Sequence, residues 1–383
     1  MASPPKQSRK PLTDLFSDLK IKPAAAQNRP SSPQKRAMMN TEMRRTISRG
    51  WPSASKDSVA PVYMTIHSDG IYCQRADIQQ PEELFAKAKN WLEVIQNTPH
   101  DEIQDVVTKE IQESMIRAIF GSNQIERAGL NLDITIYLCR KILNGEDVGL
   151  ITEHDPNYQS ALLELYRRDP TLRNLPSQYV LRSRNEVIQH AKAFHFLIHA
   201  FVIEKQDLTE SLIKETHYIL VQGVPITDSD SPNIQPEEYG GIYRTVVVGA
   251  GTTNFIVPKF VPTKMKEMCE NLKRELEDAE RNKVIDPFST ASKYSLEFVQ
   301  IHPFMDGNGR MCRMILNAIL CRYAGVVVPI GEQGEEREEY MQIKRESSQK
   351  MEGHGDYATF VLGRATRRIR EMKKKLSGKK RKA

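Results

Sequence analysis

Apolar residues recur every three or four positions along most of the chain after residue 80, a spacing that is typical of amphipathic helices. Two such stripes follow each other and comprise Leu84, Ala88, Trp91, Leu92 and Ile95, then Ile103, Val107, Ile111, Met115 and Ile119. Further helices are predicted over residues 132–143, 158–167, 184–203, 208–222, 262–281, 288–301, 309–323 and 356–370. The pattern therefore predicts an all-α fold.

Two segments interrupt the helical spacing with β-prone residues. Residues 61–75 contain two such runs on either side of the turn-forming sequence Ser-Asp-Gly at 68–70, which predicts a β-hairpin. Residues 242–261 contain the runs 245–248 and 254–257 around a glycine-containing centre, which predicts a second hairpin with a flexible tip. Both hairpins are small, so the fold class stays all-α.

Charge divides the chain into an acidic body and two basic ends. Residues 1–60 carry a net charge of +8 and residues 364–383 carry +10, so that the rest of this chain of net charge +6 carries −12. The segment 1–60 is rich in proline and serine and too poor in apolar residues to offset its ordering entropy. We therefore predict a disordered basic tail at 1–60, a helical region at 61–175 and a second basic tail at 366–383.

Cysteine usage and hydropathy indicate where the protein works. The five cysteines are scattered and form no CxxC pair, which favours a reducing, intracellular compartment. No apolar run reaches the length that spans a bilayer, so we expect no membrane contact. Two clusters of lysine and arginine lie at 373–375 and 379–382. They predict a nuclear localisation signal or a nucleic-acid-binding tail, with an import receptor or nucleic acid as partner, unless they only solvate the chain end. The expected location is the nucleus, the cytoplasm or both.

The residues that carry chemistry begin at His302. Pro303 disfavours the α conformation at the preceding residue, so the helix predicted over 288–301 should end at His302. The dipole at a helix C-terminus favours a protonated imidazole. We therefore expect a histidine with a pKa close to neutral, held on a rigid element, which suits a general base.

A phosphate-binding pattern follows directly. Gly307, Asn308 and Gly309 permit positive φ angles and allow successive backbone N–H groups to converge on an anion. The next helix is apolar almost all round, so its N-terminus is a buried, positively polarised end. Arg310 and Arg313 lie on one side of that end, and Asp306 offers a single carboxylate, which suits Mg²⁺ bound largely by phosphate oxygens. These residue types together indicate phosphoryl or nucleotidyl transfer.

The stretch 302–313 resembles the signature of the Fic family, HxFx(D/E)GNGRxxR, and matches it at every specified position. The resemblance implies a Fic-type helical bundle over residues 176–365 with a small β-hairpin flap over the active site. It implies roles for each matched residue. His302 would deprotonate the incoming hydroxyl, Phe304 would anchor the loop, and Asp306 would hold Mg²⁺. Gly307, Asn308 (backbone and side chain), Gly309 and Arg310 would bind the phosphates, and Arg313 would reach the γ-phosphate.

Two further segments upstream resemble parts of the same family. The sequence Gly-Gly-Ile-Tyr-Arg at 240–244 is similar to the segment that precedes the flap, and residues 245–261 are similar to the flap, on which a target protein would dock as an added strand. Residues 337–340 resemble, less closely, the segment that closes over the adenine.

A third segment, N-terminal to the signature, resembles the family's inhibitory motif (S/T)xxxE(G/N). Ser122 and Glu126 lie at i and i+4 on one helix face, and Arg127 stands where the family has glycine or asparagine. A carboxylate that pairs with Arg313 would take the place of the γ-phosphate. The alternative is an ordinary exposed glutamate.

The resemblance as a whole implies a Mg²⁺-dependent protein adenylyltransferase that moves AMP from ATP to a Ser, Thr or Tyr hydroxyl and is autoinhibited by Glu126. Gly309 fits AMP transfer, because family members that act as kinases carry lysine there. Three alternatives stay open: the same fold with UTP, GTP or CDP-choline, a glutamate that supports AMP removal, and an inactive nuclear scaffold with basic tails.

Overall fold

The computed structural model describes residues 62–66, 71–72, 80–96, 100–227, 233–250, 253–350 and 353–380. The tail predicted to be disordered, residues 1–60, lies outside them, as does the turn predicted at 68–70. In the described part of the chain, no helix combines the length and the apolar character that a membrane span needs.

Helices form almost all of the regular structure, which confirms the all-α class. Their bounds are α1 Pro81–Gln96, α2 His100–Ile125, α3 Leu132–Asn144, α4 Tyr158–Arg168, α5 Ser177–Ile198, α6 Glu210–Val221, α7 Pro236–Tyr239, α8 Val261–Asn282, α9 Pro287–Ile301, α10 Asn308–Ala324, α11 Gly334–Lys350 and α12 Gly355–Lys380. Sequence analysis predicted no helix at α11, because this segment is mostly charged and has no continuous apolar stripe.

Helix α10 forms the centre of the bundle. Its apolar residues face every direction, and α9, α5 and α2 pack around it. Met311, Ile315 and Ile319 are all fully buried. A helix apolar on all sides must be surrounded by other elements, and this burial fixes the position of the helix start at Asn308, where the candidate site lies.

The described strand of the first predicted hairpin pairs with a distant part of the chain. The strand β1 (Tyr63–Met64) pairs in parallel with β4 (Val284–Ile285), and Met64 lies opposite Ile285. Both of these side chains are buried. The pairing therefore places β1 next to the start of α9.

The second predicted hairpin is present, but its strands lie closer to the tip than expected. The strand β2 (Gly249–Ala250) pairs with β3 (Thr253–Asn254) in antiparallel fashion. The β-branched arms before and after it do not pair with each other, because Arg244 lies between them and binds the carbonyl oxygens of Val246 and Ile256.

The predicted basic tail at 366–383 is in part a helix of the folded body. Helix α12 continues to Lys380, ten residues beyond the predicted end at residue 370, and packs on α1 and α2. Ile369, Met372 and Leu376 are buried on this face, and Lys375 pairs with Glu110 at 2.6 Å. The predicted boundary at residue 366 therefore falls within a packed helix.

We predict that Ile369→Ala lowers the free energy of unfolding by about 2–5 kcal/mol, because it removes a fully buried side chain from the face of α12. Urea denaturation followed by circular dichroism measures the change. Arg370→Ala, at the exposed neighbouring position, is the control and should change the value by less than about 0.5 kcal/mol. Equal effects of the two substitutions would mean that α12 is not packed as described.

Candidate active site

His302 ends helix α9 and begins the loop that leads to α10. It adopts the left-handed conformation, with φ 51°, and its N–H donates to the carbonyl oxygen of Phe298 at 3.0 Å. Its Nδ1 lies 3.3 Å from the carbonyl oxygen of Val299. A carbonyl oxygen can only accept, so Nδ1 carries the proton and Nε2 keeps a free lone pair.

The pKa of His302 differs from the near-neutral value that the sequence predicted. Burial lowers this pKa from 6.5 to about 4, and the carbonyl oxygen of Val299 opposes the shift only in part. The helix dipole, on which the prediction relied, does not compensate for the loss of water around the ring. At neutral pH the imidazole is therefore uncharged and able to accept a proton.

His217 contacts the loop between His302 and α10 and fixes its position. Its ring stacks on Phe304 with 3.7 Å between centroids, and Phe304 is fully buried. The N–H of Gly241 donates to Nδ1 of His217 at 2.9 Å, so Nε2 carries the proton and donates to the carbonyl oxygen of Asp306, also at 2.9 Å. Burial lowers the pKa of His217 to about 4, which keeps the ring neutral and preserves this arrangement.

The side chain of Asn308 shapes the loop. Its Oδ1 accepts from the N–H of Phe304 at 3.0 Å, and its Nδ2 donates to the carbonyl oxygen of Phe304 at 2.8 Å. The side chain was expected to bind phosphate, but both of its polar atoms are engaged here. The part of Asn308 left for an anion is its backbone N–H, which stands among the first N–H groups of α10 and has no partner within the helix.

Asp306 and Arg310 form an ion pair at the same helix start. Their atoms Oδ2 and Nη2 are 3.1 Å apart, the arginine is almost fully buried, and the carboxylate is 41% exposed. Burial opposes the charge of Asp306, but the guanidinium of Arg310 and the N–H of Gly307 hold its pKa below the ordinary value. An exposed, ionised carboxylate beside a helix N-terminus fits a Mg²⁺ ion that is bound mainly by phosphate oxygens.

Arg310 has further side-chain N–H donors besides the one that binds Asp306. Among the described residues, its Nε and Nη1 are buried and have no hydrogen-bond partner. Buried donors rarely stay unsatisfied. These two can bind an anion or water at the start of α10.

Arg313 forms hydrogen bonds with residues from two other segments of the chain. It donates through Nε to the hydroxyl of Ser122 at 2.8 Å and through Nη2 to the carboxylate of Glu126 at 2.5 Å. Its Nη1 reaches the hydroxyl of Tyr340, in the segment that resembles the adenine-closing one, at 3.4 Å. The fold thus brings together three segments that are remote in sequence: the end of α2, the second turn of α10, and α11.

Gly309 makes room for Glu126. A Cβ atom added at Gly309 would collide with Oε1 of Glu126. The carboxylate therefore lies directly against the backbone at the helix start, where the sequence predicts phosphate binding. A side chain of any size at position 309 would displace it.

Arg127, the residue after Glu126, adopts a backbone conformation that is unusual for arginine. Helix α2 ends at Ile125, and Arg127 adopts a positive φ of 54°. The backbone N–H of Gly129, two residues later, donates to the carboxylate of Glu186 in α5 at 2.8 Å and so fixes the chain that follows Arg127. Glycine and asparagine, which the related motif carries at this position, adopt that conformation at low cost, whereas arginine is strained in it.

Arg244 is a site residue to which the sequence analysis gave no role. Its Nε donates to the carbonyl oxygen of His302 at 2.6 Å, and its Nη1 and Nη2 donate to Val246 at 2.9 Å and to Ile256 at 2.5 Å. It therefore ties both arms of the flap to the loop of the candidate base. The available signal was its position just before the β-branched run, in the segment 240–244.

Comparison with known proteins finds a match to one family of sequences. The sequence model of the Fic/DOC family matches residues 207–320. The protein adenylyltransferase fic-1 of Caenorhabditis elegans is 31% identical over 163 residues, which are 42% of this chain and 28% of that protein. The protein adenylyltransferase Fic of Drosophila melanogaster is 27% identical over 179 residues, which are 46% of this chain and 31% of that protein. The chain thus matches less than a third of the length of these curated relatives.

Solved structures show the same fold. A Fic domain containing signaling protein from Bacteroides thetaiotaomicron superposes with a TM-score of 0.53 at 19% identity, over 78% of this chain and 98% of that one. A segment of Fic-1 from C. elegans superposes with a TM-score of 0.53 at 21% identity, over 79% of this chain and 74% of that one. At these identities the likeness concerns the fold alone, and it confirms the helical Fic-type bundle.

We predict that Arg127→Gly raises the free energy of unfolding by about 0.5–1 kcal/mol, because glycine relieves the strain of a positive φ and loses part of this gain to its greater freedom in the unfolded chain. Arg127→Ala keeps the strain and removes the same charge, so it should bring no gain. Urea denaturation of the three proteins measures the difference. An alanine variant as stable as the glycine variant would show that the effect comes from the charge.

Proposed function

We propose that the protein is a protein adenylyltransferase, which transfers AMP from ATP to a serine, threonine or tyrosine hydroxyl of a target protein, because its residues 207–320 match the sequence model of the Fic/DOC family. The observation that carries the proposal is the placement of a neutral, proton-accepting His302 at one end of a short loop and of the buried start of α10 at the other. A base and an anion-binding helix end are the two parts that such a transfer requires.

In the proposed reaction, the target hydroxyl oxygen attacks the α-phosphorus of ATP while Nε2 of His302 takes its proton. The bond from the α-phosphorus to the oxygen that bridges to the β-phosphorus breaks, and pyrophosphate leaves. The N–H groups at the start of α10 and the two free donors of Arg310 stabilise the negative charge on the phosphates. Asp306 would hold Mg²⁺, and a bound Mg²⁺ would neutralise charge on the leaving pyrophosphate.

Glu126 is proposed to inhibit this reaction. Its carboxylate occupies Arg313, the residue that the proposal assigns to the γ-phosphate, and it fills the space beside Gly309. An ATP molecule bound for transfer would have to replace the carboxylate with its terminal phosphate. A glutamate at this position that instead supports removal of AMP from the target would need the same contact, so both roles are compatible with the ion pair.

The flap is proposed as the docking site for the target. Val246 and Val247 on its first arm are 48% and 75% exposed. The two arms do not pair with each other, so that a target backbone can add to the flap as a strand. The base of the nucleotide is read outside the signature, and the same transfer with another nucleotide is the nearest alternative.

We predict that label from α-labelled ATP, in the presence of Mg²⁺, is incorporated into the protein itself or into a target, and that His302→Ala abolishes this incorporation. His154→Ala, at an exposed histidine far from the site in sequence, is the control and should leave it unchanged. Label transferred from the γ position would indicate a kinase. Label from α-labelled UTP or GTP in place of ATP would identify a different nucleotide, and no transfer from any of them would contradict the proposal.

We predict that Glu126→Gly raises auto-modification several-fold, because it frees Arg313 and the space beside Gly309 for the terminal phosphate. Incorporation from α-labelled ATP measures the rate, and Glu153→Gly at an exposed glutamate is the matched control. A rate that is unchanged or lower in the Glu126 variant would mean that this carboxylate does not inhibit transfer.

A further inference from the structure

The flap places an aromatic ring directly on the candidate base. Phe255, the residue after β3, stacks on His302 with 3.7 Å between ring centroids and 16° between ring planes. Its side chain is half-buried in this position. The contact joins the surface proposed to dock the target to the imidazole proposed to activate its hydroxyl.

Arg244 fixes both partners of this stack. It donates to the carbonyl oxygen of Ile256, next to Phe255 in the chain, and to the carbonyl oxygen of His302 itself. The backbone N–H of Arg244 adds a third link, to Pro303, at 2.8 Å. Because the backbones on both sides of the stack are tied to one buried arginine, the phenyl ring and the imidazole are held as a unit.

The imidazole needs such a support. Its hydrogen bond from Nδ1 to Val299 is long, at 3.3 Å, and a single long bond constrains rotation about Cβ–Cγ only weakly. Rotation of the ring would turn Nε2 away from its position and would also break the flat stack on Phe255. The phenyl ring therefore supplies the constraint that the hydrogen bond alone does not give.

The stacked ring also removes water from one face of the imidazole. The charged groups that act on His302 have opposite signs: Arg244 disfavours protonation, whereas Glu126 and Asp306 favour it. Burial is the largest of these influences on the pKa of His302. Phe255 stacks on the imidazole and covers one of its faces.

We propose that Phe255 is a positioning residue for His302: carried by the flap and anchored by Arg244, its ring holds the imidazole with Nε2 directed at the target hydroxyl. The inference rests on the proposed function, because it assumes that His302 is the base. It implies that the flap has two tasks, since the element that docks the target also orients the group that activates it.

The test uses the full-length chain with Glu126→Gly as background, and compares Phe255→Leu with the ring-retaining Phe255→Trp. At saturating ATP, Phe255→Leu should lower the rate of auto-modification from α-labelled ATP by about tenfold or more, because a misdirected base reacts slowly. The KM for ATP should stay within about twofold, since Phe255 is assigned no contact with phosphate. Phe255→Trp should keep most of the rate. A loss of rate equal in both variants, an unchanged rate in Phe255→Leu, or a parallel rise in KM would overturn the proposal.

A second measurement does not depend on activity. In protein labelled with ¹³C-histidine, the His302 ring signal, assigned by its loss in His302→Ala, should titrate near 4, and in Phe255→Leu it should titrate closer to 6.5. The ring proton shift caused by the stacked phenyl should disappear in the same variant and persist in Phe255→Trp. If no protein transfers AMP but these shifts occur, the proposed function fails while the stack is verified. If the His302 signal is the same in all variants, the positioning role is refuted.

Discussion

The burial of α10 is the constraint from which the rest of the structure follows. An apolar helix in the centre of a bundle must begin somewhere inside the protein, and its first N–H groups then lack both water and helical partners. The loop from His302 to Asn308 is held in a shape that leaves these N–H groups open. The hydrogen bonds and ring contacts of His217, Phe304 and the Asn308 side chain fix this shape. The backbone donors at the helix start are left facing the site.

Two buried arginines in the first two turns of α10 also require negative charge beside them. An unpaired buried cation is costly, so each guanidinium has a carboxylate beside it, Asp306 for Arg310 and Glu126 for Arg313. The first carboxylate comes from the loop itself and the second from the end of α2. A bound triphosphate would supply the same charge, so under the proposed function Glu126 and a nucleotide would compete for Arg313.

Sequence alone predicted the features that depend on local pattern. The end of α9 before His302, the start of α10 after Gly307 and the apolar character of α10 on all sides lie where residue types and spacing indicated. The pairing of Arg313 with Glu126, 187 residues away, was expected from the resemblance to an inhibitory motif and not from spacing alone. Features that depend on the packed environment were missed. The low pKa of His302 arises from surrounding atoms, and the engagement of Asn308 with Phe304 arises from a loop shape that no spacing specifies. The burial of α12 against α1 and α2 was hidden by its many lysines and arginines, whose long side chains reach solvent while Ile369, Met372 and Leu376 face inward.

Mutations at Gly309 and at Glu126 should have different effects on the candidate site. A mutation at Glu126 removes one carboxylate and leaves the helix start intact. A mutation of Gly309 to any other residue forces that carboxylate to shift and at the same time places a Cβ atom at the start of α10, where an anion would approach the backbone in the proposed reaction. If Glu126 inhibits transfer as proposed, variants that lose inhibition should accumulate at the glutamate and stay rare at the glycine, because only the substitution of the glycine also alters the helix start.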